Sequence, residues 1–106
     1  MKAVCLNFHI YEFEKQYGIL LYEWLLEFAR KNEIPRGIAA RGIAGYGSNS
    51  RMHEEHFFEL ASDVPIVVSF ILSEKEKNKL LLLLKEEKIS LFFTTFEIDY
   101  DILSEN

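Results

Sequence analysis

The sequence predicts an α+β domain of the ferredoxin-like kind, ordered β-α-β-β-α-β, with a four-stranded antiparallel sheet and both helices on one face. Three observations carry that expectation. Residues 2–10 alternate apolar and polar at period two. Two later stretches, 18–31 and 73–87, carry helical signals. Three further runs, at 38–44, 66–72 and 89–98, read as strands, and a long polar loop separates the first two of these. A chain of 106 residues favours one domain spanning 1–106.

In the first strand Val4, Leu6, Phe8 and Ile10 share one face, and Ala3, Cys5, Asn7 and His9 share the other. The second set is small and mildly polar, which suits contact with another surface better than open water. Residues 11–17 form a polar connector. In the first helix Leu21, Trp24, Leu25, Phe28 and Ala29 make one apolar stripe, with Glu23, Glu27, Arg30 and Lys31 off it. Glu27 and Lys31 form an i, i+4 pair in the favourable order. Asn32 and Pro35 end this helix, and Pro35 with Gly37 turns the chain into the second strand. Asp63-Val64-Pro65 is a turn signal ahead of the apolar run Ile66 to Leu72. Ser73 caps the second helix, with Glu76 as its capping-box partner. Leu80 to Leu84 cover more than one face of that helix. The last strand carries Leu91, Phe92, Phe93 and Phe96. The third and fourth strands are therefore apolar on both sides, whereas one helix layer covers only one side of a sheet. A homo-oligomer that covers the open face is the simplest remedy. A ligand-binding sheet is the alternative.

Composition narrows the function classes. Hydrophobic residues make up 49% of the chain, enough for a core. The net charge of −5 argues against a nucleic-acid binder, which needs a basic face to displace counterions. Cys5 is the single cysteine, so no internal disulfide forms and a cytoplasmic setting is expected. The apolar run near the N-terminus is too short for a signal peptide, and no run of about 20 apolar residues predicts membrane insertion.

The most informative stretch is Arg41 to His53, R-G-I-A-G-Y-G-S-N-S-R-M-H, which holds three of the five glycines. Glycine lets a ligand approach the backbone, and successive free N–H groups make a concavity for anions. Arg41 and Arg51 at its two ends supply charge-assisted contacts for a phosphate or carboxylate. The plainer alternative is a hairpin loop whose glycines only make the turn. Tyr46, an aromatic between two glycines, either stacks on a base or partner or folds back onto its own subunit. Further along, His53 and His56 flank two glutamates. Their spacing is not that of a metalloprotease helix, but with Glu54, Glu55 and Glu59 they offer a nitrogen and oxygen ligand set of the kind zinc accepts.

Five motifs follow one another in order: M-K-A-V-x-L at 1–6, L-Y-E at 21–23, R-G-I-A-G-Y-G at 41–47 with His53 following, D-V-P-I-V-V at 63–68 and E-I-D-Y at 97–100. This ordered set resembles the PII-like signalling proteins, in particular their small prokaryotic branch of unknown function. It implies a ferredoxin-like subunit, a homotrimer with inward-facing sheets, and a cytoplasmic regulator that is not an enzyme. It also implies an adenine nucleotide (AMP, ADP or ATP) as ligand, with no obligatory cofactor, held between subunits at the base of a T-loop-like segment at about 45–62. The positions that match are Arg41, Gly42, Gly45, Tyr46 and Gly47. The loop would then act on a protein partner, a transporter or metabolic enzyme. The sequence departs from the family pattern in two places. K-E-E-K-I-S at 85–90 lacks glycine, leaving Lys85 and Lys88 as the basic residues there, and Glu97 and Asp99 make the last strand acidic. No tyrosine lies between His53 and Ser62, so uridylylation of the loop is not expected. The competing expectation is a metal-responsive trimer of the same fold, resembling divalent-cation-tolerance proteins and using His53 and His56.

Overall fold

The computed structural model describes residues 1–46 and 64–105. Its elements are β1 (Lys2–Tyr11), β2 (Lys15–Gln16), β3 (Ile19–Leu20), α1 (Leu21–Lys31), β4 (Gly37–Arg41), β5 (Pro65–Leu72), α2 (Glu74–Glu86) and β6 (Phe92–Asp99). β4, β5, β1 and β6 form one sheet in that spatial order, and every pairing is antiparallel. This is the predicted ferredoxin-like arrangement, with the first strand at the centre.

Register explains why the alternation works. Directly paired residues share a face. Leu6 lies between Phe70 and Thr95, and Phe8 lies between Val68 and Phe93. The helix-facing row of Leu6, Phe8, Ile10, Ile66, Val68, Phe70 and Leu72 is buried against Leu21, Leu25 and Ala29 of α1 and Leu80 and Leu84 of α2, and Val4 of the same row is buried too. Phe8 and Phe70 meet edge to face with centroids 6.1 Å apart. A fully buried Leu or Phe of this kind contributes about 2 kcal/mol.

The opposite face is open. Phe92, Phe96, Ile38 and Ile71 lie on it and are exposed, at 68%, 55%, 62% and 38%. Across its middle runs a polar row, Ser69, Asn7 and Thr94. Ser69 Oγ donates to Asn7 Oδ1 at 2.6 Å, and the Cys5 thiol reaches the same oxygen at 3.6 Å. His9 Nε2 lies 3.0 Å from Thr94 Oγ1, with the imidazole ring 5.4 Å from that of Phe92. Cys5 and His9 share a face, as the alternation predicts, but each has its own partner.

Element ends differ from the sequence reading by a few residues, each for a local reason. The connector at 11–17 leads into a small hairpin, β2 with β3, so α1 begins at Leu21 and not at Gly18. Tyr17 and Gly18 form its two-residue loop with φ of 53° and 81°, the signature of a type I′ turn. β4 stops at Arg41 because its partner strand begins at Pro65, which has no N–H to extend the ladder. β6 begins at Phe92, after Ile89 and Leu91 have packed against the core. The end of α1 is a Schellman motif. Glu33 N–H donates to Arg30 O at 3.1 Å, Ile34 N–H donates to Ala29 O at 3.0 Å, and Glu33 takes the left-handed position with φ 65°. After α2, Lys88 takes the same role with φ 57°, which is how the glycine-free stretch at 85–90 still turns.

Candidate functional site at the loop base

Pairing of β4 with β5 brings together the described residues on either side of 47–63. Arg41 lies opposite Ile66, and the next residue, Gly42, donates its N–H to Pro65 O at 2.8 Å. A Cβ at Gly42 would lie 2.9 Å from Pro65 Cγ, so this strand end closes on the proline ring only with glycine. Gly45 also approaches Pro65, but a Cβ there would make an ordinary 3.5 Å contact. Of the candidate anion-binding N–H groups, that of Gly42 is committed to Pro65. Those of residues 43–46 have no acceptor among the described residues. Tyr46 is 79% exposed and makes no ring contact among the described residues.

The end of β1 completes this corner, and the sequence reading did not select it. Tyr11 pairs with Pro65. A tight turn follows, in which Glu14 N–H donates to Tyr11 O at 3.2 Å and Glu14 Oε1 accepts from Tyr11 N–H at 2.8 Å. Within that turn Glu12 N–H donates to Val64 O at 2.9 Å, and the Glu12 carboxylate forms a charge-assisted hydrogen bond with the Arg41 guanidinium. Glu12 therefore touches both described limbs of the loop base. Its side chain is 17% exposed and that of Arg41 65%. The signal that locates Glu12 is register. A strand paired antiparallel to the one beginning at Pro65 must deliver its C-terminal end to the loop base. Beside the turn, Phe13 is exposed and stacks on Tyr11 at a centroid distance of 5.8 Å.

The same end of the domain is braced by the small hairpin. Tyr17 Oη donates to Glu87 Oε1 at 2.8 Å, at the C-terminal cap of α2. That hydrogen bond, reinforced by the carboxylate's charge, raises the Tyr17 phenol above its ordinary range. Lys85 and Lys88 are exposed at this end of α2. Asp99 of the acidic last strand lies at the far end of the sheet, bridged to Lys2 at 3.5 Å and to the terminal amine at 3.3 Å.

Of the predicted nucleotide-binding positions, Arg41, Gly42, Gly45 and Tyr46 are thus adjacent at the loop base. Gly47 and Arg51 lie outside the described residues, as do His53 and His56. Among the described residues no group of three metal-ligating side chains comes together.

Among the described residues, an antiparallel sheet of four long strands with its first strand at the centre carries both helices on one face. A solved structure from Thermus thermophilus, carried under the name of a PII-like signaling protein, superposes with a TM-score of 0.59 at 14% identity. The match covers 92% of this chain and 87% of that one. The chain belongs to the family DUF190, described as "Uncharacterized ACR, COG1993", whose model matches residues 3–98. It is 34% identical over 79 residues to a UPF0166 protein of Aquifex aeolicus, 74% of each chain. It is 27% identical over 81 residues to the UPF0166 protein MJ1524 of Methanocaldococcus jannaschii, covering 76% of this chain and 74% of that one.

Proposed function

We propose that this protein is a non-enzymatic cytoplasmic regulator of the PII-like kind. In this reading it is a homotrimer closed through its open sheet face. It binds an adenine nucleotide at the loop base and signals to a transporter or metabolic enzyme through the loop. The observation that carries the reading is the open, largely apolar face of the sheet, together with an exposed arginine on a glycine-held strand end at one end of that sheet. A face with Phe92, Phe96, Ile38 and Ile71 exposed together is unusual for a monomer and suits burial against further copies. Arg41 supplies the positive charge a phosphate needs, and the adjacent N–H groups of residues 43–46, without acceptors among the described residues, supply donors. No helix among the described residues is long and apolar enough to cross a membrane.

The test is calorimetric titration of metal-free protein with AMP, ADP and ATP, with the mass measured in the same buffer. The expected result is a trimer binding about one nucleotide per subunit. Arg41→Ala is expected to weaken binding while leaving the mass unchanged. A well-folded trimer that binds none of the three at millimolar concentration overturns the nucleotide part of the reading, and a monomer overturns the assembly.

A further inference from the structure

The arginine best placed to receive a ligand phosphate is already paired. Among the described residues the carboxylate on Arg41 is that of Glu12 alone, and the neighbouring Glu14 is committed to Tyr11 N–H. We propose that Glu12 is a built-in competitor for the ligand anion, standing in for a phosphate on Arg41 until one arrives. The inference rests on the nucleotide reading above and adds to it a regulatory residue.

The geometry supports competition over simple support. The contact to Glu12 runs through one terminal nitrogen of the Arg41 guanidinium, and a phosphate bound bidentately through that edge has to take it from the carboxylate. A phosphate that approached without displacing Glu12 would meet a negative charge held at the same place. The turn from Tyr11 to Glu14 fixes where Glu12 starts, and its peptide N–H is tied to Val64 O on the opposite limb. When the carboxylate leaves Arg41, the residue released is one that also bonds the far limb of the loop base. Glu12 is a positioning residue, acting on the ligand through Arg41. The arginine of this pair is exposed and solvated, which weakens the pairing, so a multiply charged phosphate competes successfully where a single carboxylate holds the resting state.

The experiment compares wild type, Glu12→Gln, Arg41→Gln and the double variant by calorimetric titration with ATP, after thermal melts confirm that each is folded. Glutamine keeps the size of the side chain and removes its charge. Glu12→Gln is expected to bind ATP about two- to fivefold more tightly than wild type. That gain is expected to vanish in the Arg41→Gln background, which identifies Arg41 as the shared partner. A structural role for Glu12, holding Arg41 ready for ligand, predicts the opposite sign. Equal or weaker binding by Glu12→Gln therefore overturns the inference and leaves the nucleotide reading standing. Failure of every folded protein to bind overturns both. Binding by Glu12→Gln alone supports both.

Discussion

At the scale of single residues, glycines in this chain are required by sterics in graded fashion. A Cβ at Gly37 would lie 2.6 Å and 2.8 Å from two ring carbons of Phe70, which is 2% exposed and has nowhere to move. Gly42 faces a proline ring at 2.9 Å, and Gly45 has ordinary clearance at 3.5 Å. Overpacking costs follow the same order. Gly37→Ala is expected to destabilise by about 2–3 kcal/mol and Gly42→Ala by about 1 kcal/mol. Gly45→Ala should stay within about 0.5 kcal/mol. Urea unfolding of the three variants checks the series, and a Gly45→Ala cost equal to that of Gly37→Ala would contradict it. The sequence marks Gly42 and Gly45 through their loop motif, but Gly37 reads only as a turn residue. Its neighbour Phe70 lies on another strand, and only the register of β4 with β5 brings them together. Glu12 was illegible for the same reason. It sits in a polar connector with no motif, and its partner Arg41 is distant in the chain.

At the scale of elements, local sequence chemistry is most legible at the helix ends. The capping box read from Ser73 and Glu76 is present in both directions. Ser73 Oγ accepts from Glu76 N–H at 3.0 Å, and Glu76 Oε1 accepts from Ser73 N–H at 2.7 Å. Ser73→Ala is expected to cost about 1 kcal/mol in a thermal or urea melt. The end of α1 is legible in place but not in form. Asn32 does end the helix, with its side-chain amide donating to Phe28 O at 2.9 Å, but Glu33 occupies the left-handed position that glycine normally fills. Glu33→Gly should therefore stabilise by about 0.5–1 kcal/mol, and a loss of stability would show that the Glu33 side chain makes an offsetting contribution. The hairpin of β2 and β3 escapes a hydropathy reading because each strand is two residues long and no periodicity can develop over that length. Its turn residues Tyr17 and Gly18 were the available signal.

At the scale of the whole molecule, the sequence announces an unfinished surface. Strands apolar on both sides beside a single helix layer require a second covering, and the structure leaves that face bare. Phe96, opposite Cys5 and 55% exposed, lies on it. Phe96→Glu is expected to lower the mass measured by light scattering to that of one chain, with the melting transition of the subunit still cooperative. Unchanged mass in a folded variant would place the contact elsewhere. The order of strands was legible because alternating β-α-β-β-α-β elements leave few ways to connect the strands of one sheet without crossing. The same order has a consequence for how the chain reaches its native state. The central strand, β1, is the first synthesised and finds its two neighbours in the second half of the chain, with Lys2 meeting Asp99 across almost the entire sequence. A nascent chain on the ribosome cannot satisfy both edges of β1 until β6 has emerged, so one edge of an amphipathic strand stays open even after β5 has paired with the other. Such long-range pairing slows folding relative to helical domains of the same size. The hazards of aggregation thus fall on the interval before β6 arrives, at the strand around which the finished sheet is built.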